Sequence, residues 1–192
     1  NYLWDGIKRD RLVWMGDAHP ELRTILSVFG DNEVLRKTFD QARDQTPLPG
    51  WMNGICAYSL WWILIHRDYY NYTGDRAYLT EQQQYLEGLL SQVIESVDEE
   101  GREHLQGGGR FLDWPTSKNK PAVNAGLQAL VVMSLEAGEQ LMQVLNNDSL
   151  ASRCQVTVER MRQTIPDYKQ SKQSAALAAL AGLATPEQSN EV

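Results

Sequence analysis

Two apolar stripes at helical spacing constrain the fold of this chain more than any other feature. Tyr85, Leu86, Leu89, Leu90, Val93, Ile94 and Val97 form one. Val123, Leu127, Leu130, Val131, Leu135, Leu141, Met142 and Leu145 form the other. Each marks a helix with one face to bury against another element. Local signals frame further helices. One is expected from about Glu21 to Phe29, with Pro20 in its first turn, where the missing N–H costs nothing, and Gly30 as its stop. Asp31 or Asn32 caps a second, running to about Asp44. A long apolar helix from about Ile55 to Tyr72 closes at Gly74, and Asp75 caps the next. Helices resume near Ala122, again from Leu150 to about Ile165 before Pro166, and last over Ser171 to Ala184.

The connections are mostly short, as antiparallel neighbours require. Helix pairs recur about every 45 residues without a repeating sequence motif. The expected fold is therefore all-α, a stack of helical hairpins in an open solenoid or a closed α/α toroid. Six hairpins closing a ring would have twelve helices, and this chain supplies roughly half. The rhythm breaks at residues 98–120, where a glycine triplet and two prolines predict a small β-hairpin or a long loop. Loops of that length inside a helical domain are usually functional.

Composition narrows the function. A net charge of −7 argues against a nucleic-acid surface, which needs a basic stripe. No apolar run is long enough to span a membrane, and no anionic membrane partner is expected. His19, His66 and His104 are isolated, so no metal site is expected. The GGGR run lacks the strand–loop–helix context and the lysine of a phosphate loop, so no cofactor is expected either. Cys56 and Cys154 fit two buried thiols or a disulfide, which leaves the compartment open.

Chemistry concentrates in DGIKRDRLVWMGD, Asp5 to Asp17, with three aspartates and three basic residues. This stretch reads as loop before the first helix, with Gly16 turning the chain into Asp17. A solvated charge patch is the plain alternative. Trp4 and Trp14, however, flank the acids, and an indole face beside carboxylates is what a pyranose ring requires: C–H groups stack while hydroxyls bond to the acids. Arg9 and Arg11 would orient the acids and tune their pKa values. Asp113 and Trp114 repeat the pairing in GGGRFLDWPT, and Trp51 ends the TPLPGW loop. Of Trp61 and Trp62, one faces the core and the other is free to reach a cleft, because helical neighbours point about 100° apart.

The Asp5–Asp17 run resembles the signature segment of the α-L-rhamnosidases of glycoside hydrolase family 78, a six-hairpin α/α-toroid group. SLWWILIHRDYYNYTGDRAYL resembles that family's helix ending in a Tyr-x-x-x-Gly-Asp turn, and FLDWP its Gly-Asp-Trp loop, with Leu112 in place of the glycine. The resemblance covers roughly residues 1–185. It implies that residues 1–192 are a single domain, the N-terminal part of an (α/α)6 catalytic barrel cut at both ends. It implies hydrolysis of terminal α-L-rhamnosyl residues with inversion. Asp10 stands at the general-acid position, where the family usually has Glu. Asp5 and Asp17 resemble substrate-binding acids; Arg9, Trp14, Trp62, Asp113 and Trp114 belong to the sugar pocket. The catalytic base is expected beyond Val192, so the isolated chain is expected to be inactive. The expected partner is a rhamnose-containing saccharide or glycoside. Self-association through the open toroid face is a further expectation. A periplasmic or secreted parent is favoured slightly over a cytoplasmic one. The alternatives are a non-catalytic carbohydrate-binding toroid and a sister glycosidase for another sugar.

Overall fold

A computed structural model describes residues 1–6 and 8–192. Eight α-helices are described: α1 (Met15–Phe29), α2 (Glu33–Asp44), α3 (Cys56–Thr73), α4 (Arg76–Glu95), α5 (Lys120–Val144), α6 (Asp148–Met161), α7 (Lys172–Leu180) and the single-turn α8 (Pro186–Ser189). The all-helical expectation holds: the described residues contain isolated β-bridges but no strands.

The helices form two layers. In the inner one, α1 packs on α3, α3 on α5, and α5 on α7. In the outer one, α4 and α6 pack on each other, and both lie against α5. Polar bonds tie α2 beside α4: the Asp40 carboxylate accepts from Tyr78 Oη at 3.1 Å and Gln82 Nε2 at 3.0 Å, while Arg43 donates to Gln82 Oε1 at 2.6 Å. The hairpins α1/α2, α3/α4 and α5/α6 thus stand side by side, with α7 next to α5 in the inner layer. Alternation makes the inner helices parallel, so their N-terminal ends share one side of the row.

Most boundaries follow local chemistry. Asn32, Asp75, Asn119, Asn147 and Ser171 each accept a backbone N–H at a helix start. Gly74 closes α3 in the left-handed conformation. Three boundaries differ from expectation. Helix α1 begins at Met15, not near Glu21, so Gly16 and Asp17 are helical and Pro20 lies inside the helix. The cause is a distant cap: Asn53 Oδ1 accepts from Met15 N at 3.1 Å, and Asn53 Nδ2 donates to the Val13 carbonyl at 2.9 Å. Helix α6 stops at Met161, because Pro166 pushes its predecessor towards extended backbone and the last turn unwinds. Helix α7 ends at Leu180, where the chain turns through Gly182 at φ 65°.

Residues 98–119 form a long loop rather than a hairpin, pinned by single bridges from Val97 to Glu103 and from Ile55 to Gly109. Its anchor is Glu103, almost fully buried, which pairs with Arg110 and accepts from Leu105 N at 3.0 Å. Close packing fixes two further points. A Cβ on Gly138 would come within 2.3 Å of Leu90, and one on Gly126 within 2.3 Å of Leu112. Gly126 of α5 therefore seats Leu112, which holds the Asp113–Trp114 segment against the helix row. Cys56 and Cys154 are buried free thiols. Among the described residues, no helix is long and apolar enough to cross a membrane.

Candidate active site

A cavity of about 790 Å³ opens where the N-terminal ends of the inner helices meet. The loop before α1 supplies Asp5, Arg9, Asp10 and Trp14, and the first turn of α1 supplies Asp17. The start of α3 adds Tyr58 and Trp61, the loop before α5 adds Phe111, Asp113 and Trp114, and α7 adds Gln173 and Leu177. Helix N-termini carry partial positive charge, which favours the carboxylates gathered there. Seven of the residues singled out from sequence thus line one space: Asp5, Arg9, Asp10, Trp14, Asp17, Asp113 and Trp114.

Trp62 does not. It is fully buried, donates from Nε1 to the Phe39 carbonyl at 3.2 Å, and packs against His66 and Tyr85. Its neighbour Trp61 reaches the cavity instead, with its ring 5.0 Å from that of His19. Asp68 holds His19 Nε2 at 2.9 Å, and Asp68 itself is bound by Arg67. Trp4 and Trp51 lie outside this cavity, lining a second one of about 520 Å³.

The loop before α1 is a tight ring closed by the Asp5–Leu12 bridge, with Gly6 at φ 57° and Arg11 at φ 52°. It brings Asp5 and Asp10 to the same guanidinium. Arg9 Nη2 lies 2.7 Å from Asp10 Oδ2 and 3.3 Å from Asp5 Oδ2, and Arg9 Nε donates to Asp10 Oδ2 at 2.8 Å. Trp14 Nε1 donates to the same oxygen at 3.2 Å. The Arg9 hydrogen bond, helped by Trp14 and opposed by desolvation, holds the Asp10 carboxyl below the usual carboxylate range.

Asp17 has the opposite environment. Burial, and then the charge of Asp5, push its carboxyl upward. Glu21, one turn further along α1, is raised by burial and by Asp17 and Asp5. Asp113 spends one oxygen on its own loop: Oδ1 accepts from Thr116 N at 2.8 Å and from Thr116 Oγ1 at 2.5 Å. Trp114 projects from that loop with 83% of its surface exposed, its ring 5.2 Å from Phe111 and edge-on to it.

The site therefore pairs acceptor-rich carboxylates with a partial wall of aromatic faces. Such a surface suits a ligand carrying both hydroxyls and C–H faces. Among the described residues, no group of three or more His, Cys, Asp or Glu side chains is placed to hold a metal ion. Tyr58 and Gln173 are not identified from sequence. Trp61 was one of two adjacent candidates; Tyr58 and Gln173 carry no local signal, and only the order of the hairpins brings them here.

The fold and cavity define a domain of helical hairpins with acids and indoles gathered at the N-terminal ends of the inner helices. The family model described as the bacterial alpha-L-rhamnosidase 6 hairpin glycosidase domain matches residues 1–182, and the chain belongs to that family. The fold is also similar to the crystal structure of the GH78 family rhamnosidase of Bacillus sp. GL1, at 22% identity and a TM-score of 0.74. That match covers 93% of this chain and 22% of the Bacillus chain, so the present chain spans about a fifth of the length of that protein. Comparison with curated proteins gave no match.

Proposed function

We propose that this domain belongs to a glycoside hydrolase that removes terminal α-L-rhamnosyl residues with inversion, and that the cavity described above holds the rhamnosyl ring. The observation that carries the reading is the convergence of Asp5, Asp10, Asp17 and Trp14 on one cavity. Asp5 and Asp17 accept hydrogen bonds from the sugar hydroxyls, and Trp14 offers an apolar face. Asp10 is the proton donor to the leaving oxygen. An inverting partner carboxylate would stand about 6.5–9.5 Å away, across a water. We assign that base to later hairpins, outside the 192 residues.

Asp10 must be protonated to donate, and Arg9 opposes this. The acid therefore becomes competent when substrate binding draws Arg9 away and desolvates the carboxyl. The test is hydrolysis of an aryl α-L-rhamnoside by the full-length parent. Asp10→Asn should cut turnover by a factor of about 10² or more while leaving binding intact. Undiminished turnover would remove Asp10 from the role.

A second reading is favoured by the same Arg9–Asp10 contact. A carboxylate locked in an ion pair, and one methylene shorter than the Glu usual at this position, suits a carbohydrate-binding toroid without catalysis. Saturable rhamnoside binding by the parent with no turnover at any pH would select it.

A further inference from the structure

Tyr58 carries a feature that the proposed reaction does not use. It sits in the first turn of α3, 9% exposed, with its ring facing the cavity. The ring is held from two sides. Trp14 meets it edge-on at 6.2 Å, and Gly16 of α1 lies directly beneath. A Cβ on Gly16 would stand 2.3 Å from Tyr58 Cε1 and 2.8 Å from Cζ, so no larger residue fits while the ring keeps this place. The second residue of α1 is thus a seat for the phenol.

The hydroxyl is chemically unspent. Among the described residues, none makes a hydrogen bond to Tyr58 Oη. Burial, and then the charges of Asp17 and Asp5, push the phenol upward and keep it protonated, hence a donor. The charged groups that line the cavity are acceptors or are engaged. Asp5 and Asp17 accept, and in the resting site Arg9 is paired with Asp10 and Asp5. Two carboxylates can take the protons of a sugar's vicinal hydroxyls, but the lone pairs of those hydroxyl oxygens then need a donor.

We propose that Tyr58 is a substrate-contacting, specificity-determining residue: its hydroxyl donates a hydrogen bond to an oxygen of the hydroxyl pair that Asp5 and Asp17 hold, and Gly16 exists to seat its ring. This rests on the sugar-cleft reading. It assigns the floor of the cavity to a vicinal diol rather than to an isolated hydroxyl or a carboxylate. A bound carboxylate would meet two acids of its own sign.

The test is a titration of the 192-residue chain with L-rhamnose, followed by the fluorescence of the cleft tryptophans, on the wild type, Tyr58→Phe and Gly16→Ala, with thermal melts on all three. Y58F keeps the ring and removes only the hydroxyl. It should leave the melting temperature unchanged and weaken binding about 5- to 10-fold. G16A displaces the ring and should weaken binding at least as much. If the wild type binds and Y58F binds equally well, Tyr58 has no such role while the cleft reading stands. If the wild type shows no saturable binding, both fall.

Discussion

Arg9 Nη2 lies 2.7 Å from Asp10 Oδ2, and this contact decides the resting state of the site. The same guanidinium also reaches Asp5, so one exposed cation gathers two of the acids that the proposed reaction needs. The lowered carboxyl of Asp10 follows chiefly from its Arg9 hydrogen bond. Arg9→Gln removes that bond and the positive charge, while burial remains. The Asp10 titration should move upward, towards or above the ordinary carboxylate range. Carboxyl chemical shifts followed through a pH series would show it. An unmoved Asp10 would mean that Trp14 and the loop backbone, not Arg9, set its state.

The adjacent indoles on α3 should separate cleanly by mutation. Trp62→Ala empties a fully buried site and should cost about 3–5 kcal/mol in chemical denaturation. Trp61→Ala trims the cavity wall and should cost much less, with its effect appearing in sugar binding. Equal destabilisation by the two would place Trp61 in the core.

His66 should make the domain acid-sensitive. It is fully buried, its Nδ1 bonds to the Trp62 carbonyl at 2.8 Å, and its Nε2 has no partner. Burial pushes its pKa down to about 4 from an ordinary 6.5. The folded pKa is depressed, so the unfolded chain takes up the proton first as pH falls. Stability is whole above about pH 6.5 and declines towards pH 4, by about 3 kcal/mol from this group. His66→Leu should flatten the urea-midpoint dependence across that window. A slope unchanged by the substitution would shift the acid sensitivity to the carboxylates.

Gly126 should couple the core to the cleft. Gly126→Val drives a side chain into Leu112, two residues from Trp114. Overpacking of this kind costs about 1–3 kcal/mol. The fluorescence of Trp114 should change as its loop shifts, and Gly126→Val with Leu112→Ala should recover part of both effects. Independent, additive losses would show that the loop does not lean on α5.

The hairpin row was legible because apolar stripes and cap residues are local signals, and Asn32, Asp75 and Gly74 perform as read. The charged loop was legible because its acids are close in sequence as well as in space. The start of α1 was not, because the residue that caps it, Asn53, lies 38 positions away. Nor did the sequence separate Trp61 from Trp62: α3 is buried along most of its length and around most of its surface, so no apolar stripe points to the core. Tyr58 and Gln173 enter the site only through the packing of parallel inner helices, a property of the whole row.

Calorimetric titration of L-rhamnose into the wild-type chain and Asp17→Asn tests the convergence of acids and indoles most directly. The account predicts saturable binding by the wild type and a loss of about tenfold or more in the variant, with an unchanged melting curve. No saturable heat from the wild type, or equal affinity in the variant, would contradict it.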